Sequence, residues 1–440
     1  HHCGYDNIAS SSSVEHNYLR DGFWAKSKQE EIACPGLSVQ FLVKIDDVTE
    51  AVMAKLKDVK PNEIVSKLQP ILIEMQNKAS EGTGFEIRIS SFFKGNQFLQ
   101  FTYQRYKDVR LVGAPPESIG KFGGDTDNWE WPRHTGDFSI FRVYMAPDGK
   151  PSEYKAENVP YQPKHFLPVS IKGLNDGDYA MIYGYPGGTN RYETSHGVKL
   201  KMDIDNPNLV NLRDARLKCM LAEMVKDPAV KIQLASSYAG IANYWKFFDG
   251  ETKQLAKHNV LAQKQKDEEI FTNWAKGKPE YDNLFNDVKN VYDAWRPYAK
   301  GRVYLNEGIF GSPLIGFASA LKELDDALLN PASGQKEIDK SLAGVKGGYD
   351  RFIKGENIIS DRNILATVLK MYNTDVEASQ QPTAFYTWLK NTYGDLSKDE
   401  TYQKYAKDVF DNTFLLDKEK WSAFVAKPDS ALLHKDPAFK

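Results

Sequence analysis

The spacing of apolar residues changes near residue 190, and this change constrains the possible folds more than any other feature of the chain. Near the start, five apolar residues alternate with neighbours that, apart from Leu42, are polar: Leu37, Val39, Phe41, Val43 and Ile45. This two-residue period predicts a half-buried β-strand. After Arg191, apolar residues recur three or four positions apart, for example at Leu284, Val288, Val291, Tyr292 and Trp295. That spacing predicts amphipathic helices, so a β-rich part (residues 1–190) should precede an α-helical part (residues 191–440).

Further strands and helices follow from the same periods. Residues 85–89 and 98–103 flank the turn residues Lys94-Gly95-Asn96 and predict a hairpin, and further strands are predicted at residues 137–144 and 179–183. Residues 50–80 have a helical pattern. Helices are also predicted around residues 321–328 and 365–372, with breaks at residues 277–279 and 330–334.

Composition and charge exclude several classes of function. The 440 residues are 41% hydrophobic and 26% charged, which is typical of a globular protein able to bury a core. A formal net charge of -2 provides no electrostatic basis for binding nucleic acid or an anionic membrane. No apolar run approaches the roughly 18 residues that a transmembrane helix needs. The cysteines, Cys3, Cys34 and Cys219, lack the spacing of metal ligands, so we expect no metal and no cofactor.

Two residues are candidates for a catalytic triad, His2 as the general base and Asp137 as the acid that orients it. His2, in His1-His2-Cys3-Gly4, resembles the histidine turn of a chymotrypsin-type serine protease; the alternative is the remnant of a purification tag. Asp137 stands at the head of the predicted strand 137–144. A triad aspartate must be held rigidly against the imidazole, and a strand head provides that rigidity. The alternative is a solvated turn residue after Gly136.

The loop at residues 123–136 combines Gly, Asp and Asn residues with Trp129 and Trp131. Tight turns next to flat apolar walls suit the terminal ammonium of a peptide, which needs acceptors and exclusion of water. A calcium site built from Asp125, Asp127 and Glu130 is one alternative, and simple packing of the two indole rings is another.

Two further motifs bear on a protease interpretation. Residues 174–187, which end in Gly184-Tyr185-Pro186-Gly187, resemble the start of the second barrel in bacterial trypsin-like proteases, although a generic hairpin has the same pattern. No Gly-x-Ser-Gly nucleophile turn occurs. Gly311-Ser312-Pro313 is rejected as a nucleophile because it lies between helical segments and has no Gly after Ser312.

Together these stretches resemble the dipeptidyl-peptidase 7 and 11 family, the S46 serine exopeptidases of bacteria. The similarity is carried by residues 17–24, 34–39, 121–142, 184–187 and 190–192. The resemblance implies a chymotrypsin-like double β-barrel, incomplete here, with a large α-helical domain inserted in the second barrel. Residues 1–190 would be the partial barrel and residues 191–440 the inserted domain.

The resemblance also implies roles for individual residues. His2 matches the family's general base and Asp137 its orienting acid. Asn128, Trp129 and Asn243 match residues that hold the free N-terminus of the peptide substrate. A helical domain that binds the amine would make the enzyme release dipeptides and not cut internally.

Further expectations follow from the resemblance. The enzyme would be periplasmic or secreted and a homodimer at full length, and Cys3 would pair with a cysteine upstream. The chain would be a fragment whose serine lies beyond Lys440, and the fragment itself would be inactive. The alternative is a complete, non-catalytic module that binds peptide N-termini through Asn128, Trp129 and Asn243. A preference for acidic or hydrophobic residues at the cut is not indicated.

Overall fold

The computed structural model describes residues 4–181, 188 and 190–440. These residues divide into two compact units. The first comprises the described parts of His1–Ser12, His16–Lys121 and Gly136–Met181, and the second those of Ser13–Glu15, Phe122–Thr135 and Ile182–Lys440. The loop Phe122–Thr135 thus groups with the helical unit, although the chain on both sides of it belongs to the first unit.

The described strands all belong to the first unit. They are β1 Phe23–Trp24, β2 Ile32–Ala33, β3 Val39–Asp47, β4 Glu86–Phe92, β5 Gln97–Tyr106, β6 Asp108–Ala114, β7 Ile140–Met145 and β8 Val159–Pro160. One antiparallel sheet has the order β1-β6-β7-β8, with β2 also paired to β6, and a second has the order β3-β5-β4. At the β1–β6 pair, a Cβ on Gly113 would lie 2.5 Å from the Trp24 ring, so only glycine lets this indole cross the neighbouring strand.

The helices occur in both units. In the first unit they are α1 Tyr5–Ser10, α2 Tyr18–Asp21, α3 Thr49–Leu56, α4 Ile64–Ser80 and α5 Glu117–Gly120. In the second unit they are α6 Ser195–Leu200, α7 Asn206–Met224, α8 Pro228–Lys257, α9 Val260–Ala275, α10 Leu284–Val303, α11 Pro313–Ala320, α12 Lys322–Leu329, α13 Gln335–Gly355, α14 Ile358–Asp375, α15 Thr383–Tyr393, α16 Asp399–Asn412, α17 Lys418–Ala426 and α18 Ser430–Leu433. Within the part of the chain that is described, no helix has the length and apolarity to cross a membrane.

Each unit has its own apolar core. In the first unit Val52 of α3 and Leu72 of α4 pack on Ile89 and Phe98 of the β4–β5 hairpin. The larger core of the second unit extends from Leu212 of α7 to Ala438 and includes buried residues of α14 and α16. Removing these side chains from water provides the main favourable free energy of each unit.

Several sequence-based expectations are confirmed. Strands β4 and β5 form the predicted hairpin, in which Lys94 and Gly95 have positive φ values of 55° and 95°. Helices α12 and α14 cover the apolar repeats predicted to be helical. The combination of a β-rich part with a helical part is therefore confirmed.

Other expectations are wrong in detail. The strand predicted at residues 137–144 begins at Ile140, and Tyr179–Met181 are not in a strand; residues 182–187 lie outside the described residues. The helical stretch at residues 50–80 is two helices, because Lys60-Pro61 interrupts it. Strand β3 is an edge strand with mostly exposed side chains, not a half-buried one. The helix predicted from the apolar repeat that begins at Leu284 is confirmed as α10, but Leu284, Val291 and Trp295 are exposed, since periodicity defines a helix face and does not say what covers it.

The described cysteines, Cys34 and Cys219, are not in disulfides, and burial raises the pKa of both thiols. Cys3 lies outside the described residues.

Candidate functional site

The loop Phe122–Thr135 is held in shape by its own backbone and by Asp127. The Asp127 amide donates to the Gly123 carbonyl at 3.2 Å, and the Asp127 carboxylate accepts from the His134 amide at 3.2 Å. A side chain on Gly123 would overlap that carboxylate. Trp129 has a φ of 60°, in the left-handed region that a bulky residue rarely adopts. Such a conformation persists only where surrounding contacts fix it, and it is often found at binding sites.

Three of the candidate residues lie together in the second unit. Asn243 is on the long helix α8, and its Oδ1 accepts from Asn128 Nδ2 at 2.9 Å and from Trp129 Nε1 at 3.0 Å. The Trp129 Nε1 also lies 3.0 Å from the Asn243 backbone carbonyl oxygen. Asn128 is only 6% exposed, whereas Trp129 is 57% exposed. We call Asn128, Trp129 and Asn243 the amide cluster.

The hydrogen bonds of the amide cluster determine what it offers a ligand. An amide oxygen has two lone pairs, and both on Asn243 Oδ1 receive a donor. Asn128 donates through its NH₂ group, so its own oxygen remains an acceptor. Among the described residues no donor is bonded to Asn128 Oδ1. The arrangement therefore presents an acceptor from a largely buried residue next to an exposed indole face, a combination suited to an ammonium group.

Two contacts beside the amide cluster were not predicted from the sequence. Lys246 Nζ pairs with Glu130 Oε1 at 2.9 Å, and the Phe247 ring packs on the Trp129 ring with centroids 5.1 Å apart. Lys246 and Phe247 lie one turn along α8 from Asn243, so the loop is fixed to successive turns of a single helix. The run Asn243-Tyr244-Trp245-Lys246-Phe247 is a visible signal, but only the fold shows which loop it meets.

The calcium interpretation of the loop is not supported. Glu130 is paired with Lys246, and Asp127 is bonded to the His134 amide. Asp125 lies near Tyr238, whose pKa is raised by burial first and by the Asp125 carboxylate second. Within the described residues no group of three or more His, Cys, Asp or Glu side chains is arranged to hold a metal ion.

Of the two triad candidates, His2 and Asp137, the structure describes only Asp137. His2 lies outside the described residues. Asp137 is half-buried in the first unit, three residues before β7, and follows Gly136, whose amide donates to the Ile119 carbonyl at 2.9 Å. It therefore precedes the strand and does not open it.

Ser312 has a structural position. It is completely buried and is the N-cap of α11, where its Oγ accepts from the Ile315 amide at 3.5 Å. A capping hydroxyl of this kind satisfies a backbone donor at the helix start.

Comparison with known proteins gives the affiliation of the chain. A sequence model of the peptidase S46 family matches residues 1–440. Dipeptidyl-peptidase 7 of Capnocytophaga gingivalis is 36% identical over 442 residues, covering 99% of this chain and 60% of that protein. The Asp/Glu-specific dipeptidyl-peptidase of Flavobacterium psychrophilum is 38% identical over 440 residues, again covering 99% and 60%.

A solved structure gives the same result. Porphyromonas endodontalis DPP11 in complex with the dipeptide Arg-Glu superposes with a TM-score of 0.82 at 33% identity, covering 100% of this chain and 63% of that one. This chain thus spans about 60% of the length of the relatives it matches. Because the family match extends over all 440 residues, the chain belongs to the peptidase S46 family.

Proposed function

We propose that the protein containing this chain is a serine-type dipeptidyl-peptidase that removes dipeptides from the free N-terminus of peptides. The amide cluster is the observation that carries the proposal, because it presents one acceptor beside an indole face, as an ammonium group requires. The names of the relatives describe dipeptidyl-peptidases, and the related DPP11 structure contains a dipeptide.

Catalysis would follow the Ser-His-Asp scheme. The serine oxygen would attack the carbonyl of the second peptide bond while His2 accepts the hydroxyl proton. His2 would then give that proton to the leaving amine, and water would hydrolyse the acyl-enzyme. Asp137 would orient and stabilise the imidazolium. We place the serine in a part of the enzyme outside residues 1–440, since the relatives are longer than this chain.

We also propose that the complete enzyme contains a double β-barrel. Residues 161–181 form no strand, yet they carry alternating apolar side chains that are almost fully exposed, among them Val169 at 90% and Ile171 at 99%. Alternation of this kind is typical of a strand that a further sheet would cover. Export to the periplasm or beyond, and homodimerisation, are proposed from the family resemblance; cell fractionation and sedimentation of the full-length protein would test them.

The test is amine-dependent cleavage by the full-length protein. Dipeptidyl-coumarin substrates with an acidic or an apolar second residue would be compared with their N-acetylated forms. We expect release of coumarin from the free-amine substrates alone, and loss of that release in the His2→Ala variant. The His258→Ala variant, the same substitution at an exposed histidine after α8, is the matched control and should retain full activity.

Two outcomes would contradict the proposal. Equal cleavage of free and acetylated substrates would remove the role of the amide cluster. Binding of free-amine peptides without any cleavage would favour the non-catalytic binding module. Residues 1–440 alone should show no cleavage, and His2-dependent cleavage by them would refute the placement of the serine.

A further inference from the structure

A buried ion cluster joins Arg213 and Arg216 of α7 to Glu307 in the π-helical segment Tyr304–Gly308. Arg213 Nη2 pairs with Glu307 Oε2 at 2.6 Å, and Arg216 Nη1 pairs with Glu307 Oε1. The three side chains are only 13–15% exposed. Two guanidinium groups thus share one carboxylate in a region with little water, where charge-assisted hydrogen bonds are strong and geometrically specific.

The two arginines differ in what else they touch. Arg213 Nη1 donates to the Ile241 carbonyl oxygen at 3.4 Å, and its Cζ lies 5.4 Å from the Tyr244 ring centroid and 5.7 Å from that of Phe248. Arg216 has its second contact with the Glu307 backbone carbonyl, at 3.2 Å. It also lies against Gly311, where a Cβ would approach its Cζ to 2.9 Å. Arg213 therefore contacts α8, whereas Arg216 is held on the side of Glu307 and Gly311.

Arg213 contacts residues of α8 on both sides of Asn243 along the chain. Ile241 precedes Asn243 by two positions, and Tyr244 follows it directly. A guanidinium fixed by Glu307 and stacked within about 6 Å of an aromatic face resists rotation and sliding of the helix surface beneath it. Asn243 Oδ1 must meet two donors from the loop at 2.9–3.0 Å, so a small displacement of this turn would break one or both hydrogen bonds.

We propose that Arg213 is a positioning residue for the amide cluster. Held by Glu307, it fixes the turn of α8 that carries Asn243, and through Asn243 it orients Asn128 and Trp129 toward the substrate amine. Among the described residues, Arg213 itself forms no hydrogen bond or ring contact with the amide cluster. The inference rests on the proposed function, since it concerns recognition of the same amine.

The experiment measures preference for a free amine in the full-length protein. The probes are the dipeptides Ala-Glu and Ala-Phe and their N-acetylated forms, and the preference is the ratio of their Kd values from calorimetry. Arg213→Met is compared with Arg216→Met, which removes the same charge from the same cluster but leaves the contacts with α8. Thermal unfolding of both variants is recorded alongside.

We expect both variants to lose a similar amount of stability, but only Arg213→Met to lose about tenfold in amine preference, the equivalent of one hydrogen bond. Where cleavage is measured, KM for free-amine substrates should rise in Arg213→Met with a smaller change in kcat. An equal loss of preference in both methionine variants would identify a general structural effect and overturn the inference.

A milder variant keeps the inference testable if Arg213→Met does not fold. In Arg213→Lys the charge remains but one ammonium cannot span Glu307 and the Ile241 carbonyl as the guanidinium does. A folded Arg213→Lys variant should show a reduced preference; a wild-type preference in it would overturn the inference. No preference in the wild-type protein would instead overturn the proposed function, and this inference with it.

Discussion

Among single residues, Asn243 has the most demanding position, because one of its atoms serves two donors. We expect Asn243→Ala to abolish most of the preference for a free amine. The largely buried Asn128 NH₂ would lose its acceptor, which costs about 1–3 kcal/mol in unfolding free energy.

The matched variant for this prediction is Asn243→Asp. It retains acceptor oxygens for both donors and should keep the stability of the wild type within about 1 kcal/mol and bind the free amine at least as well. Urea denaturation and calorimetry with free and acetylated dipeptides check both variants. A stable Asn243→Ala protein with unchanged preference would show that the amide cluster does not bind the amine.

A second residue-scale prediction concerns pH and the buried pair Glu356 and Asp361. Burial, and then the neighbouring Asp361 carboxylate, raise the pKa of Glu356 to about 9; burial also raises the pKa of Asp361. Between about pH 4.5 and pH 9 the folded protein therefore keeps a proton on Glu356 that the unfolded chain has released. The resulting stability is fully present below the ordinary glutamate pKa of about 4.5 and is lost as the pH rises toward 9.

We expect the unfolding free energy of the wild type to fall with pH across this window, by up to about 1.4 kcal/mol per pH unit. Glu356→Gln, which mimics the protonated side chain, should fall less steeply. The exposed Glu337→Gln change on α13 should leave the slope unaltered. Guanidinium denaturation at several pH values between 5 and 9 measures all three, and parallel curves for wild type and Glu356→Gln would refute the assignment.

At the scale of elements, the loop Phe122–Thr135 depends on a glycine. A methyl group on Gly123 would collide with the Asp127 carboxylate, so Gly123→Ala should displace Asp127 from the His134 amide. We expect this change to reduce amine preference as strongly as direct loss of Asn128. Gly124 has a φ of 56° but no atom near its missing Cβ, so Gly124→Asn should be tolerated.

The calorimetric dipeptide titration measures both glycine variants, and circular dichroism verifies that they fold. An equal amine preference in Gly123→Ala and Gly124→Asn would mean that the contact between Gly123 and Asp127 does not hold the loop in shape.

The elements also show what sequence reasoning can achieve. Local periodicity and turn residues are enough to predict the β4–β5 hairpin and helices such as α14, because these depend on neighbours along the chain. They are not enough to predict burial. The exposed β3 and the exposed face of α10 carry the same patterns as buried elements, since exposure depends on partners distant in sequence.

The residues of the candidate site also fall into two groups, those that the sequence identifies and those that it does not. Asn128, Trp129 and Asn243 were identified through family resemblance, and the structure brings them together. Lys246 and Arg213 were not identified, because their partners are Glu130 and Glu307, each about a hundred residues away along the chain. No local pattern encodes such a pairing.

At the scale of the whole molecule, residues 161–181 are the segment at which we expect the isolated chain and the proposed full-length enzyme to differ. In residues 1–440 this segment forms no strand, and Lys164 and Lys172 are exposed. We expect trypsin to cut first at these two lysines in residues 1–440. In the full-length protein a covering sheet should protect them, because a paired strand must open before it can be cleaved.

Mass spectrometry of the first fragments identifies the sites. Rapid cleavage at Lys164 and Lys172 in the full-length protein as well would contradict the proposed second barrel. Lys398, exposed between α15 and α16 of the helical unit, serves as an internal reference whose rate should be the same in both proteins.

The doubly bonded oxygen of Asn243 has a consequence for how such a site can change over generations. Because that atom bonds to both Asn128 and Trp129, replacing any one of the three residues changes how much the other two contribute to binding. The effects of substitutions at the three positions should therefore be non-additive. A single substitution should lose function as long as the other two residues are unchanged. In a library randomised at all three codons, survivors under selection for dipeptide release should retain the triplet or replace its members jointly.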